Sequence, residues 1–490
     1  MTLNLIIRYS IYLIPLMVLL ISAVSVLNKN QRMNIILMSI YCYLGLIFIN
    51  LINNNETALF LNNHLQMNDL IKFFELILII FVFIVMVIIH ISIEYGLRYK
   101  VSEEMLILMM CSIIGMLISI EALNLITLFL SFEITSLSFY ILALNKNRSK
   151  KSIEGSLKYY IVGGLTSTIF LLGVACLYYI TGSVSYTDIN LIFQNFDITQ
   201  LNYLQNIGIL GISLIVISLC IKIGLAPFHG WVIDTYEGTG LLMTLFFTLT
   251  QKIVIIAVLI NFYMYICTAI NLGLFLKIIY IFIILTMIVG ILGCLGQQRM
   301  IRFIAYSGII NSGFLIIFFL GNTKEELITY SIYYLINYII GLITLISLVI
   351  GNPSFVKETN IEIFPEIKRI WQNNKLFAVI FIITLLFLAG LPPFIGFVSK
   401  LLLILSNFTF NQIFLVTLIL VYTVGIMVYY INIIKIIRVD GESVKNENMI
   451  IDSTVLHSII IGGFCWQIYS QVYIDEIISY IGYIIGNIYY

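Results

Sequence analysis

A chain of 490 residues that is 61% hydrophobic and only 10% charged, with a mean hydropathy of +1.08, is no water-soluble globule; apolar stretches of around 20 residues recur along it, the mark of a polytopic membrane protein. A formal charge of +1, with no basic patch interleaved with aromatics, gives no signal for nucleic acid or acidic substrates and leaves lipid as the implied partner. The seven cysteines are scattered through apolar runs without a Cys-x-x-Cys pair or a nearby His, and no P-loop, GxGxxG or haem motif occurs, so the chain is expected to carry no redox cofactor of its own.

Met1 leads almost directly into the first apolar run without an Arg- and Ser-rich presequence, so no removable targeting peptide is expected. The apolar stretches favour Ile, Phe, Tyr and Asn over Leu, Ala and Val, as an A/T-rich, organelle-encoded gene would impose. Backbone N–H and C=O groups cannot be left unpaired in hydrocarbon, and the runs lack the alternation of barrel strands, so the spans are predicted to be helices and the fold class all-α. In chain order they fall at 5–27, 33–52, 73–93, 105–120, 122–144, 157–180, 207–228, 240–262, 269–294, 300–320, 327–350, 376–404, 411–434 and 454–472, fourteen in all. The narrowest boundary lies at Glu121, and residues 475–490 read either as an interfacial segment or as a partial fifteenth span.

Lys and Arg test this map, because they accumulate in loops on one side of the membrane. One side collects Lys29 and Arg32, Arg98 and Lys100, five residues between 146 and 158, Arg299 and Arg302, four between 357 and 375, and Lys435, Arg438 and Lys445. The other side holds only Arg8, Lys72, Lys277 and Lys324. A wrong span count would scramble that alternation, so fourteen spans with both termini on the outer side is the expected topology. Three lysines remain, Lys222, Lys252 and Lys400, each inside an apolar run. A mid-membrane lysine costs roughly 2.5–3.5 kcal/mol unless partners or water meet it, so a chain that keeps three is expected to use them.

The segment Gly224-Leu-Ala-Pro-Phe-His-Gly-Trp-Val232 echoes Gly390-Leu-Pro-Pro-Phe-Ile-Gly-Phe-Val398. Both place Pro and Gly within or at the end of a span, the signature of interrupted helices in internally repeated transporters. Lys222 precedes its motif while Lys400 follows its own, so the echo bears on architecture rather than on equivalent roles. Glu133 reads as the acid most deeply placed in any span, with Ser131, Thr135, Ser136 and Ser138 suggesting a hydrated face. It either locks helices by pairing a lysine or tunes a proton-carrying lysine. Desolvation favours the neutral amine and a nearby carboxylate favours the ammonium, so parting a Glu133–Lys222 pair would release a proton toward Lys252. Thr248, Thr250 and Gln251 are candidates to hold water beside Lys252, and Lys400 would be the terminal carrier. His229 is a possible relay or a helix cap, and Asp234 and Glu237 are loop hydrogen-bonders or part of a proton entrance.

These residues together resemble a known family. Ser131-Phe-Glu133, Lys222-Ile-Gly-Leu-Ala-Pro-Phe-His-Gly-Trp-Val-Ile-Asp-Thr-Tyr-Glu-Gly238, Lys252, Arg302-Phe-Ile-Ala-Tyr-Ser-Gly308 and Leu391-Pro-Pro-Phe-Ile-Gly-Phe-Val-Ser-Lys400 look like the antiporter-like subunit 2 (bacterial subunit N) of respiratory complex I, over residues 100–405. Tyr-Glu-Gly and the lysine at 400 set it apart from subunits 4 and 5, and Gly230 stands where many members carry a bulky aromatic. The resemblance implies four segments: 1–104, N-terminal helices; 105–262 and 263–434, two antiporter-like repeats; 435–490, a C-terminal helix and tail. It implies proton translocation coupled to NADH oxidation and ubiquinone reduction, with Glu133, Lys222, Lys252 and Lys400 as the relay. NADH, FMN, iron–sulfur clusters and ubiquinone are implied in partner subunits, which include further antiporter-like ones. The expected location is the mitochondrial inner membrane, or a bacterial plasma membrane. A subunit of a multi-subunit cation/proton antiporter and a structural scaffold are the competing readings.

Overall fold

The computed structural model describes residues 29–53, 58–60, 63–94, 101–144, 149–194, 202–266, 273–295, 297, 299–320, 324–351, 375–406, 413–438 and 454–486. The predicted first span, 5–27, lies outside them. Each of the other thirteen predicted spans coincides with a helix or, at the second echo motif, with a pair of helices.

The elements run α1 (Lys29–Asn53), a hairpin of β1 (Ala58–Phe60) and β2 (Leu65–Met67), α2 (Asp69–Glu94), α3 (Glu103–Glu121), α4 (Leu125–Leu144), α5 (Lys150–Thr181) and a short α6 (Tyr186–Gln194). There follow α7 (Asn202–Ile223), α8 (Gly230–Thr239), α9 (Leu241–Tyr265), α10 (Gly273–Leu295), and α11 (Met300–Leu315), which tightens into a 3-10 turn at Ile316–Leu320. The chain ends through α12 (Lys324–Ile350), α13 (Lys375–Ala389), α14 (Ile395–Ser406), α15 (Ile413–Arg438), α16 (Thr454–Val472) and α17 (Ile474–Gly486). Glu121 ends one helix and Leu125 begins the next, so two spans meet there as expected. The tail is a 13-residue helix that buries Ile481, Ile484 and Ile485 and exposes Tyr480 and Tyr483; it is too short to span.

Polarity selects the centre. The apolar windows of α9 and of α11 with its 3-10 turn are 94% buried, against 33% for α5 and α10. The most enclosed helices are therefore those that carry Lys252 and its surroundings. Helix ends carry their own signals: Ser102 caps α3 by accepting from the Met105 amide ahead of Glu103 and Glu104, and Gly182 ends α5 in the left-handed region.

The two ends of the bundle separate as the charges predict. At the end poor in Lys and Arg, Leu65 bridges Ala122, Asn124 bridges Ser185, the His64 imidazole meets Asn124, and Tyr265 donates to Gln66. At the other end the start of α5, the end of α8 and the start of α11 meet through ion pairs. Three loops that the charge count assigns to one side thus touch one another.

Both echo motifs interrupt a helix. Gly224, at φ +87°, ends α7, and Gly390, at φ +75°, ends α13; these are conformations that a side chain disfavours, and Pro227 and Pro392-Pro393 follow. The breaks leave backbone carbonyls without a helical donor inside the bundle, and such groups need partners.

Candidate functional site

Lys222 stands one residue from the end of α7, with its ammonium 4.4 Å from the centre of the Phe132 ring. Glu133, the next residue on α4, is half-buried and makes no close ion pair among the described residues. Glu75 and Glu121, at 1% and 2% exposure, are more buried than Glu133, but Glu75 lies near the start of α2 and Glu121 ends α3, whereas Glu133 lies midway along α4. Apolar context within a span told depth along the membrane; it did not tell which way the side chain faces.

Beside Lys222 lies a cavity of about 40 Å³, room for roughly two or three waters. Thr135, Ser136, Tyr140, Tyr159 and Gln251 give it a polar lining. The hydrated face expected around Glu133 is therefore narrower than its hydroxyls suggest. Ser131, Thr135, Ser136 and Ser138 all donate back to carbonyls of their own helix, and only Thr135 and Ser136 reach the cavity.

Lys252, 4% exposed, donates to the Gly308 carbonyl at 2.7 Å and to the Tyr338 hydroxyl at 2.9 Å. Asn311 accepts from Tyr334 at 2.6 Å. Tyr334 and Tyr338, four residues apart on α12, stack with centroids 6.5 Å apart. These three partners were not anticipated from sequence; two tyrosines at helical spacing in one span, facing an asparagine in another, are the signal that was available. Thr248 and Thr250 are buried and donate to carbonyls of their own helix, so only their lone pairs remain for water.

Lys400 folds back from α14 onto the second break. Its ammonium donates to the carbonyls of Leu388 at 3.2 Å and Ala389 at 3.0 Å. It lies 5.4 Å from the Phe314 ring, which packs 5.8 Å from Tyr334. At the first break the Ile221 carbonyl accepts from the Gly224 amide at 3.1 Å and, as a second donor, from the Trp231 indole N–H at 3.2 Å. The three lysines thus form a succession: Lys222 shares its cavity with Gln251, Gln251 adjoins Lys252, and Lys252 connects through Tyr338, Tyr334 and Phe314 to Lys400. The last link is an apolar ring.

His229 stays apart from this succession. It occupies the N-cap position of α8 without capping through its side chain, and its Nδ1 lies 3.2 Å from the Pro227 carbonyl. Gly230 has open space where a side chain would go, so the expected aromatic has no pocket here.

Asp234 and Glu237 sit on α8 rather than in a loop. Asp234 pairs with Lys158 at 2.6 Å. Glu237 takes Lys151 at 2.7 Å and Arg302 at 2.5 Å, together with Arg299. Burial alone would raise the Glu237 carboxyl, but the hydrogen bonds and charges of Lys151 and Arg302 hold it below the ordinary carboxylate range. Among the described residues, no three His, Cys, Asp or Glu side chains converge as metal ligands would.

Comparison with known proteins matches residues 122–426 to the family described as "NADH:quinone oxidoreductase/Mrp antiporter, TM". The NADH-ubiquinone oxidoreductase chain 2 of Dictyostelium discoideum is 49% identical over 98% of this chain and 97% of its own length. The NADH-quinone oxidoreductase subunit N of Rickettsia bellii is 32% identical over 74% of this chain and 76% of its own. Among solved structures, a chain of respiratory complex I from Thermus thermophilus superposes with a TM-score of 0.74 at 18% identity, covering 97% of this chain and 98% of that one, a likeness of fold.

Proposed function

This chain belongs to the antiporter-like subunit 2 (bacterial subunit N) family of NADH:ubiquinone oxidoreductase, and from that premise we propose that it carries protons across an energy-conserving membrane through Glu133, Lys222, Lys252 and Lys400. The observation that supports the relay is the succession of three lysines through the middle of the bundle, Lys222 partly buried beside its cavity and Lys252 and Lys400 buried. Lysine suits the task because its charge is close to balance between burial, which expels a proton, and acceptors, which retain one.

Lys222 is loaded while the Glu133 carboxylate stays near. When a rearrangement parts them, the proton leaves for water in the adjoining cavity, passes Gln251, and reaches Lys252. Lys252 delivers it past Tyr338 and Tyr334 toward Lys400. NADH oxidation and ubiquinone reduction in partner subunits, which hold the FMN and iron–sulfur clusters, drive the rearrangement. The chain itself binds no cofactor, and its place is among the other membrane-arm subunits in the mitochondrial inner membrane. The segments 105–262 and 263–434 act as the two repeats, each with one broken helix.

The family description also names Mrp antiporters, which makes cation/proton exchange the competing reading. Lys222→Ala separates the two. Loss of quinone-coupled pumping with salt tolerance intact is expected; the reverse outcome would replace this reading with the antiporter one. Co-purification with flavin- and iron–sulfur-bearing subunits tests the assembly.

A further inference from the structure

We propose that Tyr159, stacked on Trp231, is a positioning residue that holds Gln251 at the gap between Lys222 and Lys252, so that the short helix α8 sets whether water joins the two lysines. The inference rests on the relay reading above.

Gly155 and Gly238 let α5 and α8 touch backbone to backbone: a Cβ on Gly155 would stand 2.6 Å from the Asp234 carbonyl oxygen, and one on Gly238 would stand 2.9 Å from that of Lys151. Lys151 and Lys158 of α5 pair with Glu237 and Asp234 of α8, while Arg299 and Arg302 reach Glu237 from the second repeat. α8 is therefore pinned to both repeats at one end.

At its other end Trp231 does two things. Its N–H bonds the Ile221 carbonyl, one residue before Lys222, and its ring lies flat on Tyr159, with centroids 4.7 Å apart and planes 4° apart. The Tyr159 hydroxyl accepts from the Gln251 amide at 2.5 Å, and Tyr140 packs edge-on against the same ring at 4.8 Å. Lys222, Tyr159 and Gln251 all line the one cavity.

Successive residues on a helix point about 100° apart. Gln251 therefore faces the Lys222 cavity while Lys252 faces Gly308 and Tyr338 on the far side. A proton passing between the lysines has to round α9 at Gln251. With its N–H₂ held by Tyr159, the amide keeps its carbonyl oxygen for water and stays at the cavity wall; once released, it is free to swing across the passage. Movement of α8 reaches Gln251 through the Trp231–Tyr159 stack.

The test uses Tyr159→Phe, Gln251→Leu and the double variant in the assembled complex, with Trp231→Phe as a further single that keeps a ring but loses the N–H. Complex content is scored by NADH oxidation with an artificial acceptor, and pumping by vesicle acidification in H₂O and D₂O. Each single substitution is expected to slow pumping about three- to tenfold and to raise the solvent isotope effect, with the double no slower than the slower single. Singles with parental pumping and isotope effect, or a double in which the two losses multiply, would overturn the proposal. Lys252→Met is run in parallel. If it pumps normally, the relay reading fails; if it is inactive while Tyr159→Phe is parental, only this inference fails.

Discussion

Replacing Lys252 with Met and, separately, with Arg distinguishes a proton carrier from a structural cation. Lys252→Met removes two hydrogen bonds from a charged donor, to Gly308 and Tyr338, worth about 1.5–3 kcal/mol each. It also removes the roughly 2.5–3.5 kcal/mol that a mid-membrane lysine costs, so the net change in stability is about 0–3 kcal/mol and the complex should still assemble. Transport suffers more. Without the amine, a proton crossing that position does so as an unpaired charge, which on the same scale adds about 2.5–3.5 kcal/mol to the barrier, about a hundredfold in rate. Lys252→Arg keeps the charge and both donors, but a guanidinium does not release its proton. It should assemble as the parent does and leave pumping as slow as in Lys252→Met. Vesicles bearing each variant, energised with NADH and a soluble quinone and followed with a pH-sensitive dye, give the rates. Parental pumping by Lys252→Arg would refute the carrier role and make Lys252 a packing cation.

Lys400→Met should destabilise the second break by about 1–3 kcal/mol for each carbonyl left unpaired, read as a lower unfolding temperature in detergent, while Lys400→Arg recovers stability without pumping. Glu237→Gln should loosen the contact of α8 with α5 and α11 by about 1–3 kcal/mol, the sum of three partly exposed pairs. Because the folded Glu237 carboxyl lies below its ordinary value, its contribution is complete above that value and is lost as pH falls through the depressed one. Parental thermal stability should therefore decline in acid where Glu237→Gln stays flat, and parallel profiles would contradict this. Gly155→Ala should force α5 from α8 at a cost of about 1–3 kcal/mol and slow pumping, scored by the same thermal and dye assays.

Much of the bundle was legible because hydrocarbon admits few solutions. Unbroken apolar runs must be helices, and the alternation of Lys and Arg fixes their order across the membrane, which the meeting of Lys151, Glu237, Arg299 and Arg302 at one end bears out. The interruptions at Gly224 and Gly390 were legible for a related reason, since Gly and Pro together rarely fall within a span without breaking it. Elements outside the hydrocarbon were not. The Ala58–Phe60/Leu65–Met67 hairpin and the Tyr186–Gln194 helix sit in water-facing loops, where several conformations satisfy the backbone equally well.

Within the site, the lysines announced themselves by cost, but their partners did not. Tyr338, Tyr334 and Tyr159 are of a type common at membrane interfaces, and only tertiary packing shows that they and Asn311 point inward. Glu133 lies midway along α4 as its sequence position implies, while its half-buried side chain was not legible for the matching reason: the sequence locates it along α4 but not around it.

The two interrupted helices are sealed by side-chain donors of different kinds, an indole beside the Gly224 amide at Ile221 and an ammonium at Leu388 and Ala389. An indole never changes charge, so the first hinge keeps the same stiffness throughout a cycle. On the relay proposed above, the second is fastened by a group that would give up a donor and its attraction for the negative end of α13 on unloading. A duplicated architecture thereby acquires one constant joint and one whose slackness tracks its cargo. Amide protection, with the intrinsic rise of exchange with pH divided out, should follow pH at residues 388–391 while remaining level at 221–225.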